Sequence, residues 1–498
     1  MNPPLLRRAR APLGAALLAL TAGCAVGPNY HRPAAPTPER FKEAEGWKPA
    51  EPREAASGSD WWSVYGDATL DELEKQIDVS NQTLRAAEAN WRQAVALVSQ
   101  TRAGLLPTVG VSASATRSGG PGGRATAGTT GTTGTTTSHP LNQFELAGNA
   151  SWEFDIWGKI RRQLEGAKAS AQASEADLAA ARLSAQATLA SDYIELRIAD
   201  EQRHLLEETV DAFKRSLQIT ENQYHVGVVA KADVITAQTQ LGGAQSQLIA
   251  VGVTRATLEH AIAVLIGKAP ADFALAPATL GAAVPVLPAG IPSALLERRP
   301  DVAAAERQMA AANAQVGVAI AGYFPNLTLS GTYGFASEVV SGLVRAPNNF
   351  WSLGAAASDT LIDFGARGAQ VRGARAAYDA TVAGYRQTVL VAFQQVEDDL
   401  ATLRILEQQH DVQDETVKSA NLAVQLALNQ YRAGTVAYTS VVTAQTVALG
   451  DAQTLLGIRQ SRLVASVQLI QALGGGWDAT TLGKKNGTAA TLAESARP

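Results

Sequence analysis

Asn222-Gln223-Tyr224, followed by Gly227, recurs in the same chain as Asn429-Gln430-Tyr431, followed by Gly434. The two glycines are 434 − 227 = 207 residues apart. The same interval separates Thr236-Ala237-Gln238-Thr239 from Thr443-Ala444-Gln445-Thr446, and Gly267 from Gly474. It holds back to Trp157-Gly158 against Phe364-Gly365 and to Gln163 against Gln370. The chain is a duplication, so whatever one copy folds into, the other folds into as well. Upstream the interval widens. Ala86-Ala87-Glu88 matches Ala304-Ala305-Glu306, and Pro107 matches Pro325, where 325 − 107 = 218. The first copy therefore carries about 11 extra residues, and they fall in the Gly/Thr-rich run 118–138. That run reads as a long flexible loop. As a phosphate cradle it lacks the Gly-Lys-Ser/Thr ending and a following helix.

Each copy has the order helix, strand, loop, strand, long helix, turn, helix. Residues 69–105 read as one helix that stops before Pro107. Beyond it Val109, Val111, Ala113 and Ala115 alternate with Thr108, Gly110, Ser112 and Ser114. In the next strand Phe144, Leu146, Ala150, Trp152 and Phe154 share one face, and Gln143, Glu145, Asn149, Ser151, Glu153 and Asp155 share the other. In the second copy Leu327, Leu329, Tyr333 and Phe335 oppose Asn326, Thr328, Ser330 and Thr332. Trp351, Leu353, Ala355 and Ala357 continue the pattern. Alternation over about ten residues with aromatics near the ends suits a transmembrane barrel strand. A soluble sandwich also alternates, but four strands between very long helices do not build one.

From residue 159 to 224 there is no proline and almost no glycine. A continuous helix of that length would be roughly 100 Å long, and residues 167–190 are rich in alanine, which lets backbones approach. The second copy gives the same run over 366–431. Both end at a Tyr-x-x-Gly turn and are followed by returning helices at 232–266 and 440–473. Such pairs are coiled-coil hairpins. Four strands close no barrel, and open edges in lipid leave backbone groups unpaired. A spanning chain must therefore assemble. Two copies would supply eight strands and three would supply twelve; the strand count admits both.

The N-terminus supports export. Arg7, Arg8 and Arg10 precede an apolar stretch, 11–22, too short to span a bilayer, which ends at Thr21-Ala22-Gly23-Cys24. Cys24 is the only cysteine, so no internal disulfide exists. Small residues before it resemble a bacterial lipoprotein cleavage site, which would leave Cys24 as an acylated N-terminus that anchors without spanning. The usual leucine three places upstream is here Thr21, with Leu20 one place further out. Residue Ala25 is not the aspartate of an inner-membrane retention signal, which suits the outer membrane. No later stretch reads as apolar for 18 residues or more, so a crossing would have to be a β-barrel.

With 498 residues, net charge −4 and 46% hydrophobic residues, nothing points to nucleic acid. The six histidines show no metal spacing, and no cofactor motif, Walker A, Gly-x-Ser-x-Gly or His-Glu-x-x-His occurs, so the chain reads as neither an enzyme nor a holder of metal or cofactor. Soft-metal cargo lacks support too, since only Met1 and Met309 are present.

Cys24-Ala25-Val26-Gly27-Pro28-Asn29-Tyr30 with Pro33 resembles the mature start of NodT-type efflux lipoproteins of the TolC-like outer membrane factor family. Arg298-Arg299-Pro300-Asp301-Val302, Phe324-Pro325, Tyr431-Arg432-Ala433-Gly434-Thr435 and Ala472-Leu473-Gly474-Gly475-Gly476-Trp477 look like the same family's signatures, in order, over nearly the whole mature chain. The resemblance implies an α+β membrane protein: a homotrimer whose four strands per chain complete a twelve-stranded barrel, with long helical hairpins forming a periplasmic α-barrel. A mixed equatorial belt would draw on 30–65, 270–299 and the C-terminal segment. It implies an outer-membrane, lipid-anchored exit duct of a tripartite RND-type pump, partnered by a periplasmic adaptor, an inner-membrane RND pump and outer-membrane lipid. A type I protein-secretion duct and a periplasmic coiled-coil scaffold are the competing readings.

On this basis the chain divides into a signal peptide 1–23, a lipidated and equatorial segment 24–68, a first repeat 69–269, a linker 270–299, a second repeat 300–474 and a tail 475–498. Matched residue by residue, Asp233 and Tyr431 occupy family positions that link neighbouring coils at the closed tip. Ser440 and Thr443 stand where some relatives place pore-ringing aspartates, and Val436 where some carry a linking arginine. The expected gate is an Asp233–Tyr431 contact between hairpins, weakly charged. Asp233 is equally well placed to meet a helix N-terminal dipole. Gly227 and Gly434 would be adaptor-docking tips, and both also meet a turn's need for positive φ. Glu145, Glu153 and Asp155 would face the barrel lumen. Glu397-Asp398-Asp399 reads as a solvated face.

Overall fold

The computed structural model describes residues 25–35, 37–38, 40–43, 60–119, 141–281, 284–285 and 297–483. The signal peptide, Cys24 and the Gly/Thr-rich run beyond residue 119 lie outside them. The elements are α1 Ala68–Ser80, α2 Gln82–Ala103, β1 Thr108–Ser118, β2 Leu141–Glu153, α3 Lys159–His225, α4 Lys231–Leu265, α5 Pro300–Ala321, β3 Asn326–Ser337, β4 Asn349–Ser358, α6 Ala366–Arg432 and α7 Tyr438–Ala472. The duplication is visible in the elements themselves. Helices α3 and α6 each have 67 residues, and α4 and α7 each have 35. All four boundaries repeat at the interval of the two turn glycines.

Two compact units emerge, one from 1–32, 93–171 and 308–382, the other from 33–92, 172–307 and 383–498. Each draws on both repeats. The first unit holds a four-stranded antiparallel sheet in the order β1-β2-β3-β4. Trp157 closes its base. The indole stacks on Phe324 at 4.7 Å and donates to the Pro325 carbonyl at 2.9 Å.

In the second unit the predicted helix 69–105 is broken in two. Asn81 leaves helical geometry at ψ 120°, its Oδ1 accepts from Leu84 N at 3.0 Å, and its amide donates to the Leu265 carbonyl at 2.8 Å. A side chain that caps the following helix and ties down the end of another outweighs one more turn of continuity. Asp67 starts α1 by accepting from Thr69 N and Leu70 N, and its other oxygen accepts from the buried Tyr193 hydroxyl at 2.7 Å.

Segment 273–281 has no regular structure, and side chains take up its backbone groups. Arg197 donates to Ala276 O at 2.8 Å, Glu259 accepts from Leu275 N at 2.6 Å, and Asp200 and Glu201 accept from Ala278 N and Leu280 N at 3.1 Å. Asp200 also pairs with Arg197 and Arg255, so this buried carboxylate has two counter-charges.

Helix α4 is apolar on average without holding an unbroken apolar run. By length and composition it is apolar enough to cross a bilayer, and 17% of its apolar window is buried in the single chain. Its more apolar half, 248–265, is interrupted by Arg255, Glu259 and His260, so no stretch of 18 residues is apolar throughout.

The hairpins end alike. Gly227 N donates to Tyr224 O at 2.9 Å and Val228 N to Gln223 O at 2.8 Å; Gly434 N and Thr435 N repeat this with Tyr431 O and Gln430 O at 2.9 and 3.0 Å. With φ of +77° and +76°, these are left-handed caps that favour glycine. A Cβ on either would meet nothing. Gly474 differs, since at φ +95° its Cβ would lie 2.1 Å from Arg298 O. Gly434→Ala is therefore expected to cost about 1 kcal/mol. Gly474→Ala is expected to cost about 2–4 kcal/mol because strain and overlap add. Thermal melting of the two variants side by side checks the difference, and equal losses would refute the contact argument.

Candidate functional site

The sheet sorts its side chains by chemistry across all four strands. Register pairs Val111 with Gly148, Gly148 with Tyr333 and Tyr333 with Trp351. Two residues along it pairs Ala113 with Leu146 and Leu146 with Phe335. In the other direction Trp152 lies beside Leu329, and Leu329 beside Ala355. The shared face is thus apolar from edge to edge, with Phe144, Tyr333, Phe335 and Trp351 towards one end and Trp152 at the other. Val109 and Val111 are both 79% exposed and Leu353 is 80% exposed. An apolar face of this extent on an isolated chain requires a cover, and aromatic ends suit the two interfaces of a bilayer.

The opposite face is polar. Asn149 donates to Ser112 Oγ at 2.9 Å and accepts from Thr332 Oγ1 at 3.2 Å, bridging β1, β2 and β3. Glu145 lies on this face between Ser114 and Ala336, and Glu153 beside Thr328, where Lys159 pairs with it at 3.3 Å. Asp155 departs from its predicted place. Strand β2 ends at Glu153, and Asp155 accepts from Ile160 N and Arg161 N at 3.1 and 2.9 Å, capping α3. A carboxylate beside unpaired helix N–H groups meets four orphan donors, a stronger local demand than strand alternation.

At the hairpin tips Tyr431 is buried, not lining a free surface. It clusters with Ala237, Tyr438 and Val441, and its hydroxyl donates to Thr220 Oγ1 at 3.4 Å. The Tyr431 and Tyr438 rings lie 5.2 Å apart. Burial pushes both hydroxyls up, Tyr438 to about 12, and the nearby Asp233 carboxylate pushes the same way, so both stay protonated donors at ordinary pH. The structure thus brings Asp233 and Tyr431 together within one chain. Asp233 sits in the first turn of α4, whose start has no side-chain cap. Ser440 and Thr443 are both exposed on α7, and Val436 is half-buried in the tyrosine cluster.

Sequence reasoning missed Tyr438, Thr220, Ser216 and Gln445. Gln445 donates to Ser216 Oγ at 3.1 Å and, with Thr220, is buried between the hairpins. A signal existed: the repeat counterpart of Tyr438 is Lys231, a position where the copies diverge completely. The acidic run 397–399 is also corrected. Glu397 accepts from the backbone N–H groups of Lys42 and Glu43 at 2.7 and 2.9 Å. Asp399 lines a 570 Å³ cavity with Arg299 and Gln395, where burial and Asp398 push its carboxyl up to about 7. Among the described residues no group of three or more His, Cys, Asp or Glu is placed to hold a metal ion.

A sequence profile of the outer membrane efflux protein family matches residues 73–268 and 291–475. The toluene efflux pump outer membrane protein TtgC of Pseudomonas putida is 30% identical over 468 residues, covering 92% of this chain and 95% of its own. The cation efflux system protein CusC of Escherichia coli is 28% identical, covering 92% and 97%. The solved outer-membrane channel OprN superposes with a TM-score of 0.84 at 31% identity, covering 91% of this chain and all of its own.

Proposed function

The chain belongs to the outer membrane efflux protein family, and from that membership we propose that three copies close one twelve-stranded barrel around a passive exit duct. The observation that carries this is the sheet. Strands β1 and β4 are its open edges and run antiparallel to each other. Strand β4 of one copy can then join β1 of the next without breaking the up-and-down order. An edge left in lipid would cost several kcal/mol for each unpaired group. Eight strands leave a filled interior, whereas twelve leave room for a channel.

The apolar face meets lipid, and the face with Glu145, Glu153 and Asn149 lines the lumen. An acylated Cys24 adds an anchor. The tips at Gly227 and Gly434 receive a periplasmic adaptor, behind which an RND-type inner-membrane pump supplies cargo and energy. Relatives named for toluene and for cations are matched alike, which favours a duct that conducts small molecules without choosing them. Near the tips the duct rests closed. Asp233 holds the Tyr431–Tyr438 cluster, and Ser440 and Thr443 present hydroxyls, not charges, to the passage.

Native mass measurement in detergent tests the assembly: three copies are expected, and any other number overturns the barrel. In a planar bilayer, Asp233→Ala is expected to raise conductance several-fold over the unaltered protein. No rise would refute the gating role of Asp233 while leaving the duct intact.

A further inference from the structure

Three of the eight tryptophans of the chain meet around one cavity of about 380 Å³ that plays no part in conduction as proposed above. Trp62 comes from the short turn before α1, Trp91 from α2 and Trp477 from the segment after α7. Gly474, Gly475 and Gly476 give one wall without side chains, and α3 supplies another through Glu175, Arg182 and Gln186. All of these residues belong to the second compact unit. The volume is that of a small-molecule site, for which about 300–1,000 Å³ is usual.

The fold does not require this lining, as the duplication shows. At the interval of 207 residues, Glu175, Arg182 and Gln186 correspond to Val382, Val389 and Phe393. At the upstream interval of 218, Trp91 corresponds to Met309. Val389 and Met309 are fully buried, and Phe393 is nearly so. The second repeat thus uses these positions for core packing, where the first places charge, amide and indole. Trp91 makes no internal bond through its nitrogen: Nε1 is shielded from water and has no hydrogen-bond partner. An indole N–H left unpaired in this way costs about 1–3 kcal/mol, so folding alone favours the methionine. The ring surface, not the N–H, accounts for a tryptophan here.

We propose that this cavity binds a short saccharide. Charges of both signs line it. Asp78 and Arg182 pair at 2.8 Å, Glu175 accepts from Gly483 N at 3.0 Å, and Asp478 accepts from Thr480 N at 2.7 Å. Lys75 adds an ammonium from α1. An apolar ligand would strip water from these groups without replacing it. A simple anion meets the carboxylates, and a simple cation meets Lys75 and Arg182. A sugar hydroxyl both donates and accepts, so it serves carboxylate, amide, guanidinium and ammonium alike. The C–H faces of a sugar ring are apolar and pack on indoles, which offer large rigid apolar surfaces. Trp62 and Trp477 are held for that role. Trp62 meets Trp61 edge-on at 5.9 Å, and Trp477 packs against Ala176, Ala303 and Ala304. The site lies within one chain and is independent of how many copies assemble.

The test is isothermal titration of the full chain with chitotriose and with maltotriose, in a detergent without a sugar headgroup. Saturable binding of at least one is expected. Preference between the two separates recognition of N-acetyl groups from recognition of hydroxyls alone. Trp91→Met and Arg182→Val each install the residue of the second repeat. Each is expected to weaken binding about tenfold while thermal unfolding stays within a few degrees. Asp78→Asn keeps the shape of the side chain, is expected to weaken binding several-fold, and carries the test should either of the others fail to fold. No binding of either probe at millimolar concentration would overturn the proposal. Binding that survives these substitutions unchanged would overturn it equally, by placing the sugar elsewhere. Neither result bears on a native mass of three copies, so the duct stands or falls apart from this site.

Discussion

Leu146→Arg is expected to abolish assembly in the outer membrane, whereas Ser330→Arg is expected to leave assembly intact and change only conduction. Leu146 stands in a central strand with Ala113 and Phe335 beside it on the apolar face. Ser330 lies on the opposite face between Ser151 and Gly354. An arginine facing hydrocarbon near the bilayer middle costs about 2–4 kcal/mol. Three copies would multiply that to roughly 6–12 kcal/mol per barrel, comparable to a domain's whole stability. An arginine in an aqueous lumen pays no such penalty. Membrane fractionation and the heat resistance of the assembly on gels read the outcome. Normal insertion of Leu146→Arg, or equal failure of both variants, would mean that the faces are assigned wrongly.

Glu74→Gln is expected to stabilise the protein at neutral pH and to flatten its stability against pH. Glu74 on α1 is fully buried, and neither carboxylate oxygen has a hydrogen-bond partner. Burial, reinforced by Asp78 and Asp71, pushes its carboxyl up to about 9. In the unfolded chain the same group titrates near its ordinary value of 4.5. Between those values the folded state holds a proton that the unfolded state has released. Its contribution is therefore complete below about pH 4.5 and is lost as pH rises towards 9, at up to about 1.4 kcal/mol per unit. At pH 7 the glutamine, which carries no such proton, should be more stable by about 2–4 kcal/mol. Urea unfolding at pH 5, 7 and 8.5 checks this. A Glu74→Gln gain that does not grow with pH would show that Glu74 is not held neutral in the fold.

The sequence foretold what is periodic. The long helices lack breakers, the strands alternate, and the duplication lets each copy vouch for the other, so helix ends at 225, 265, 432 and 472 fall within a residue or two of expectation. Much of what stayed hidden depends on partners distant in the chain, and some on a competing local element. Nothing near Asn81 announces that its amide will meet Leu265, so the helix there reads as continuous. Asp155 alternates with its strand neighbours but is claimed by the helix that follows. Glu74 looks like any acidic residue on an amphipathic helix, and only the packing around it removes water. At the tips the resemblance singles out Asp233 and Tyr431, whose gating role is a proposal. The tyrosine pair was not legible, because Tyr438 has no twin in the first repeat.

The equal lengths of the two hairpins set a rule for change. Each extends on a 67-residue helix and returns on a 35-residue one, so their turns end level, like the legs of a stool. Shortening one hairpin by two turns while sparing the other would leave alternate feet hanging about 10 Å short. On the docking proposed above, a partner seated on the tips would then meet gaps at every second position. Length in this protein can therefore drift only in step: an insertion in one half is tolerable once the other half has copied it.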